Sequence, residues 1–229
     1  MLKVESAAPV ACWSCSATHD ERKLFCPHCG RVQPPSGGDY FAVFGLVPRL
    51  DLDLGMLEHE FHKVSRKLHP DRFGRASMNE KEWSLAGTAL LNDAYRTLRE
   101  PIRRTEYLLK LHGAEIGEEN SGKDRRDPSR APADLLEEVF DLNMQLEEMR
   151  AAHKMGEEDP ELKASLTQAK KKFDDLLDAV DRDLREQWKV WDEGNEAARE
   201  SSQKTMVSLL DRRRYLNNLV RDVTETLGA

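Results

Sequence analysis

Residues 54–75, LGMLEHEFHKVSRKLHPDRFGR, decide how the middle of this 229-residue chain folds. Apolar residues recur there at steps of three and four, at Leu54, Leu57, Phe61, Val64 and Leu68. This spacing places them on one face of a helix. We predict that Asp53 caps the start of this helix. Pro70 should end it, because proline lacks an N–H group and disfavours a helical residue before it.

A second helix is predicted over Leu85–Leu98, where Ala94, Tyr95 and Leu98 have packing spacing. The loop HPDRFGRAS separates the two helices, so we expect them to form an antiparallel hairpin. The stretch DYFAVFGL, Asp39–Leu46, predicts a short helix whose aromatic side chains cover the hairpin.

Three apolar stripes with helical spacing follow in the last hundred residues. They comprise Leu135, Val139, Leu142, Leu146 and Met149, then Leu162, Leu166, Ala169, Phe173, Leu176, Val180 and Leu184, and finally Leu209, Leu216, Val220, Val223 and Leu227. Gly156 with Pro160, and Gly194, provide the breaks between helices. The pattern predicts an antiparallel three-helix bundle. No strand-like alternation of any length is evident.

The four cysteines lie near the start of the chain in the pattern C-x2-C-x10-C-x2-C, at Cys12, Cys15, Cys26 and Cys29. Two such knuckles deliver four thiolates tetrahedrally, which predicts a metal site. Zinc is the favoured ion, and iron fits the same geometry. Two disulfides are disfavoured in a reducing compartment. His19 and His28 are not needed as ligands, because four thiolates complete the shell.

These patterns predict an all-α protein with a small zinc-knuckle module. Two polar stretches rich in Gly and Pro mark the boundaries between its domains, PPSGGD and GAEIGEENSGKDRRDPSRAP. We predict a tetracysteine module at 1–35, a helical hairpin domain at 38–113, a linker at 114–131 and a helical bundle at 132–229.

Composition and charge narrow the functional classes. The formal charge is -7, and residues 132–229 hold fifteen Lys and Arg against twenty-three Asp and Glu. This balance argues against a nucleic-acid binder, which normally has a basic face. The mean hydropathy of -0.69 argues against a membrane span. The first ten residues resemble neither a secretory signal nor a transit peptide, so we expect a cytoplasmic protein. No catalytic constellation is evident, and we predict that the chain is not an enzyme.

Local charge concentrates around the tripeptide His69-Pro70-Asp71 in the predicted hairpin loop. Basic residues surround its single carboxylate, at Lys63, Arg66, Lys67, Arg72 and Arg75. The tripeptide alone is a weak signal, since His69 could merely end a helix and Asp71 begin a turn. Its context, between a basic apolar-periodic helix and a flexible basic loop, favours a binding function.

In this order, DYFAVFGL, LHPDRF, LNDAYRTLREP and RTEYLLKLHG resemble the hallmarks of J-domain proteins, and more narrowly those of the HscB family. The likeness extends from about Asp39 to the C-terminus. The cysteine-rich segment, with CW and FCPHC, is similar to an extension found on some members. Arg72 replaces a lysine common in the family, which preserves the charge. The long polar linker is a second departure.

The resemblance implies that His69, Pro70 and Asp71 engage the ATPase domain of a DnaK-type chaperone, HscA in bacteria. A fixed loop would present one carboxylate to a partner's arginine. The basic residues Lys63, Arg66, Lys67 and Arg72 would steer binding towards an acidic surface.

A second apolar stripe on the first bundle helix, formed by Leu136, Phe140 and Met144, lies well away from its packing stripe. From spacing alone it is either a wider core or an exposed binding surface. The family resemblance implies a surface that binds the IscU-like iron–sulfur scaffold, with matching positions at Leu136, Phe140, Asp141, Met144 and Tyr215. Met144 replaces an acidic residue of the family, which would weaken an ionic contact with the client.

The expected protein is therefore a monomeric co-chaperone that delivers an IscU-like scaffold to a DnaK/HscA-type chaperone and stimulates its ATPase. A general J-domain co-chaperone for unfolded clients is the alternative. General J-proteins carry β-rich client domains and a Gly/Phe-rich linker, and this sequence has neither. A zinc-ribbon nucleic-acid protein with a helical tail is a third reading, which the acidic balance disfavours.

Overall fold

The computed structural model describes residues 9–20, 23–37, 39–117 and 132–228. Two compact units divide the chain, the first ending at Gly113 and the second beginning at Ala114. The described α-helices are α1 (Tyr40–Phe44), α2 (Leu54–Leu68), α3 (Met78–Arg99), α4 (Pro101–Leu111), α5 (Leu136–Met155), α6 (Pro160–Glu193) and α7 (Glu196–Leu227). The predicted all-α class is confirmed.

The hairpin of α2 and α3 forms the centre of the first unit. The Asp53 side chain accepts a hydrogen bond from the Met56 N–H and caps α2. Helix α3 begins at Met78, seven residues before its predicted start. The reason is a capping box, in which Ser77 and Glu80 exchange hydrogen bonds. Leu54, predicted on the packing face, is 46% exposed because it occupies the first turn of α2.

Helices α1 and α4 close the hairpin on one side. The Tyr107 hydroxyl of α4 accepts a hydrogen bond from the Tyr40 N–H at 2.8 Å, and the two rings stack with centroids 4.5 Å apart. Burial raises the pKa of Tyr107 to about 12. Buried Arg104 donates to the carbonyls of Leu50 and Leu98, which joins α4 to the loop before α2 and to the end of α3.

The cysteine-rich segment contains two short antiparallel strands, β1 (Pro9–Ala11) and β2 (Thr18–Asp20). The sequence did not predict them, because three residues are too few to show alternation. This segment packs against the hairpin. Buried Leu24 and Leu68 meet above Gly87, where an added Cβ would lie 3.6 Å and 3.3 Å from their methyl groups. The division predicted between residues 35 and 38 thus separates segments that are in contact.

The second unit is the three-helix bundle of α5, α6 and α7. All five residues of the first predicted stripe are buried, as are Leu166, Phe173, Leu216 and Val223 of the others. Gly156, with φ at 73°, ends α5, and Pro160 occupies the first turn of α6. The buried core continues past the predicted stripe to Trp188 and Trp191. Most of the predicted linker, residues 118–131, lies outside the described residues.

Among the helices that the structure describes, none combines the length and the apolar character needed to cross a membrane.

Candidate functional site

The four cysteine sulfurs converge on one point, as the sequence predicted. All four Sγ atoms lie within 4.8 Å of one another. The Cys12–Cys29 pair is 3.6 Å apart and the Cys15–Cys26 pair 3.8 Å apart. Four sulfurs bound to one zinc ion tetrahedrally, at about 2.3 Å each, stand about 3.8 Å from each other. The donor set therefore fits a tetrathiolate metal ion, and the separations exceed the roughly 2.05 Å of a disulfide.

The two knuckles that carry the sulfurs repeat one backbone design. In the first, the Cys12 carbonyl accepts a hydrogen bond from the Ser16 N–H at 2.9 Å, and in the second the Cys26 carbonyl accepts one from the Gly30 N–H at 2.9 Å. Ser16 and Gly30 both have positive φ, 59° and 71°. Glycine adopts this conformation without strain, whereas serine does so at a cost. The knuckles are therefore equivalent in geometry and unequal in local strain.

Electrostatics inside the cluster favour a bound cation. Burial raises the pKa of Cys12, but backbone N–H groups of Cys15 and Ser14 outweigh it and lower that pKa to about 6. The Ala17 N–H lowers the pKa of Cys15, but burial and the neighbouring sulfurs outweigh it and raise that pKa to about 12. Four adjacent thiols resist ionising together unless a positive charge lies between them. A divalent metal supplies that charge.

Two buried residues behind the cluster were not identified from the sequence. Gln33 donates a hydrogen bond from Nε2 to the Cys12 Sγ at 3.4 Å, and its Oε1 lies 3.2 Å from the His19 Nε2. His19 thus supports a residue that contacts a sulfur, in keeping with its exclusion as a ligand. Hydrogen bonds of this kind orient metal ligands. No sequence signal identifies Gln33, because the contact depends on the folded knuckles.

The His69-Pro70-Asp71 loop begins where α2 ends. Residues Pro70–Phe73 form one 3-10 turn. Buried Ser84 of α3 donates its hydroxyl to the Leu68 carbonyl at 2.8 Å, which fixes the end of α2. The Asp71 side chain is 89% exposed and its carboxylate lies 3.4 Å from the His69 Nδ1. A firmly anchored turn therefore presents one carboxylate to solvent.

The basic face consists of Lys63, Arg66 and Lys67 on α2 and Arg72 in the turn that follows it. All four residues are exposed. Lys63 pairs with Glu60 at 2.9 Å, and Arg66 donates to the His62 carbonyl. The Lys67 ammonium lies over the Phe25 ring, 5.7 Å from its centroid. Part of the predicted charge is therefore engaged within the chain, and Lys67 links α2 to the cysteine-rich module.

An exposed apolar strip, formed by Leu136, Phe140 and Met144, lies on one side of α5. These side chains are 47%, 63% and 57% exposed, whereas Val139 and Leu142 between them are buried. Of the two interpretations that spacing left open, the structure therefore gives an exposed surface and not a wider core. Asp141 is exposed on the same helix. Tyr215 lies on α7 and is half-buried.

Ion pairs hold the start of α5, and the 3-10 turn Ala133–Leu135 just before it, against the other two helices. Arg212 of α7 donates two hydrogen bonds to the Asp134 carboxylate, at 2.9 and 2.8 Å, and Lys172 of α6 pairs with Glu138 at 2.9 Å. The Arg212 hydrogen bonds lower the pKa of Asp134, and the Lys172 hydrogen bond lowers that of Glu138. These partners were not predicted, because they are 34 to 78 residues apart in sequence.

Comparisons with known proteins agree with this arrangement. A scan of protein-family models finds no match. The mouse iron-sulfur cluster co-chaperone protein HscB is 33% identical over 180 residues, which cover 77% of this chain and 72% of the mouse protein. The crystal structure of human co-chaperone protein HscB matches with a TM-score of 0.63 at 26% identity, covering 94% of this chain and 98% of the human one. The chaperone HscB from Vibrio cholerae matches with a TM-score of 0.55 at 26% identity, covering 82% and 96%.

Three observations now agree: the J-domain-like motifs in the sequence, the helical units of the structure, and the similarity of this chain to HscB proteins in sequence and in structure. The resemblance predicted from the sequence is confirmed. The chain belongs to the HscB family of iron–sulfur cluster co-chaperones.

Proposed function

We propose that this chain binds an IscU-like iron–sulfur scaffold protein, delivers it to a DnaK/HscA-type chaperone, and stimulates that chaperone's ATPase. The observation that carries this proposal is the Asp71 carboxylate, 89% exposed on an anchored turn and flanked by the basic face. The chain would contribute no bond-making chemistry and would act by contact alone.

The chaperone contact follows from the charge arrangement around the turn. A carboxylate that accepts hydrogen bonds from a partner arginine forms a short, strong, directional contact. Cations on the basic face attract an acidic partner surface over longer distances and raise the association rate. His69, Pro70 and Asp71 would make the specific contact, while Lys63, Arg66, Lys67 and Arg72 would orient the encounter.

The client contact follows from the exposed hydrocarbon on α5. Three large apolar side chains one helical turn apart present a continuous strip to solvent, which is costly without a partner. Such a strip suits a folded client with a complementary apolar surface. Leu136, Phe140 and Met144 would supply most of the affinity, with Asp141 and Tyr215 at the edge of the contact.

The tetracysteine site is proposed to hold one structural zinc ion through Cys12, Cys15, Cys26 and Cys29. Zinc would supply the folding energy that so short a segment lacks, without redox chemistry. Iron is the alternative ion, since the same four thiolates accept it. Elemental analysis of the purified protein tests this: one zinc per chain is expected, one iron would change the assignment, and neither metal would overturn it.

We propose a monomer working in the cytoplasm. The alternative function is a general J-domain co-chaperone that serves unfolded clients, which would use the same Asp71 turn. The kind of client that is bound distinguishes the two functions. A general co-chaperone would bind unfolded chains through the exposed strip and would not prefer a scaffold.

Titration calorimetry on the full chain tests the proposal. We expect saturable 1:1 binding of an IscU-like scaffold in the micromolar range, about -8 kcal/mol, and no measurable binding of a reduced, unfolded reporter protein. The reverse preference would establish the general co-chaperone, and absence of binding to either client would contradict both functions. The variant Leu85→Ala, which truncates an exposed leucine in the other unit, should bind the scaffold with parental affinity.

A further inference from the structure

A groove of about 510 Å³ lies between the cysteine-rich module and the α2–α3 hairpin. Its walls include Phe25, Arg31, Lys67, Arg72, Phe73 and Glu80. The module contributes the first two of these side chains, and the hairpin and its loop contribute the rest. Its volume is within the range of sites that bind ligands or partner side chains.

The walls of the groove are held at a fixed separation. Arg31 of the module pairs with Glu80 of α3 at 3.0 Å, and the Glu80 side chain is almost fully buried. Trp13 packs on Trp83 with ring centroids 5.7 Å apart. The Trp13 Nε1 also donates to a backbone carbonyl of its own module at 2.7 Å. A rigid wall gives a preformed site, which reduces the entropic cost of binding.

The charge of the groove is positive. Glu80 is its acidic wall residue, and Arg31 neutralises it. Among the described residues, no carboxylate lies within 4.0 Å of Lys67 or Arg72, so their charges face the groove uncompensated. Phe25 and Phe73 add aromatic surface beside these cations. The complementary ligand carries carboxylates together with apolar side chains.

The groove adjoins the Asp71 turn. Arg72 and Phe73, which line the groove, belong to the same 3-10 turn as Asp71. A partner that contacts the Asp71 carboxylate therefore binds next to two residues that line the groove.

We propose that this groove binds an acidic segment of the DnaK-type chaperone, with the metal-bound module forming the second wall of the chaperone site. This inference rests on the proposed function, because it takes the chaperone as the partner at the Asp71 turn. It gives the module a role in affinity, in addition to its own folding. Phe25 directly precedes Cys26, and Arg31 follows the second knuckle, so the metal that orders the knuckles also places both groove residues.

The test measures the affinity of the chaperone for the full chain and the maximal ATPase stimulation at saturation. The double variant Phe25→Ala/Arg31→Gln removes the module's ring and charge from the groove. We expect about a tenfold weaker affinity with maximal stimulation retained, because the Asp71 contact is intact. Lys23→Gln is the matched control. It removes a charge from an exposed module lysine that does not line the groove, and its affinity should change less than about twofold.

Two further measurements keep the outcome decisive. Metal content and thermal melting establish whether the double variant retains a folded, metal-bound module. If it does not, the variant Phe73→Ala, on the hairpin side of the groove, is tested in its place, and we expect the same loss of affinity. Asp71→Asn is run in parallel. Unchanged affinity in the groove variants beside a loss of stimulation in Asp71→Asn would overturn the groove proposal and leave the proposed function standing. Normal stimulation by Asp71→Asn would instead contradict the proposed function itself.

Discussion

Helices α2 and α5 each expose a surface that we propose binds a partner, and the two surfaces differ in chemical character. Helix α2 exposes cations and leads into a carboxylate-bearing turn, while α5 exposes a strip of hydrocarbon between buried positions. Charge acts over distance and mainly sets how fast and in which orientation a partner arrives. Apolar surface acts on contact and sets how long the partner stays. The difference suits a transient contact with a chaperone and a longer-lived contact with a client.

The largest expected effect comes from removing the apolar strip. The triple variant Leu136→Ala/Phe140→Ala/Met144→Ala should weaken scaffold binding about a hundredfold, since each side chain contributes about 1 kcal/mol. Its melting temperature should change little, because these residues are exposed and alanine is a good helix former. Calorimetric titration and thermal melting measure both quantities.

Leu142→Ala is the control for this variant. Leu142 is buried on the same helix, so its truncation should cost about 2–5 kcal/mol of unfolding free energy and leave the affinity of the folded fraction unchanged. A triple variant that melts early would assign the strip to the core. A stable triple variant with full scaffold affinity would show that the exposed strip does not bind the scaffold.

The second-largest expected effect is a difference in salt dependence between the partners of the two surfaces. Raising the salt concentration from about 50 to about 300 mM shortens the electrostatic screening length about 2.4-fold. Because this weakens the long-range attraction between charges, we expect the chaperone association rate to fall about tenfold. Scaffold binding should change less than about twofold, because apolar contact is not screened. Stopped-flow measurements with each partner provide the comparison. Equal salt dependence for both partners would contradict the division between charged and apolar surfaces.

The smallest effect concerns the ion pair that anchors the start of α5. Arg212 lowers the folded-state pKa of Asp134, so this pair stabilises the bundle above the ordinary carboxyl pKa of about 4. The contribution is lost as the pH falls through the lower, folded value. Asp134→Asn should therefore melt slightly earlier than the parent at neutral pH. The difference in melting temperature between the variant and the parent should disappear in acid. A difference that stays constant with pH would show that this ion pair is not its cause.

The sequence predicted what depends on local spacing. The buried stripes of α5 to α7, the cap at Asp53, the breaks at Gly156 and Pro160, and the convergence of four cysteines all follow from patterns within a few residues or from metal-site spacing. The start of α3 was missed, although the S-x-x-E pattern at Ser77 and Glu80 signals it. Boundaries of this kind are recoverable from sequence.

Contacts between distant segments were not predictable. Arg31 and Glu80 are 49 residues apart, and the sequence around either residue does not indicate that the two are in contact. Glu80 has a local role as a capping residue, which gives no hint that it also anchors the module. Leu85, expected to begin a helix, proved to be one of its most exposed positions. The groove beside the Asp71 turn lies between the two segments that this distant pair joins.

We propose that one exposed carboxylate, that of Asp71, transmits the effect of this chain to its partner chaperone. The direct test is single-turnover ATP hydrolysis by a DnaK/HscA-type chaperone, with the scaffold present, comparing the parent chain with Asp71→Asn. The substitution keeps the size of the side chain and removes the charge of a carboxylate whose side chain is 89% exposed. We expect ATPase stimulation to disappear while the melting temperature and the scaffold affinity stay at parental values. Full stimulation by a folded Asp71→Asn chain would contradict this proposal.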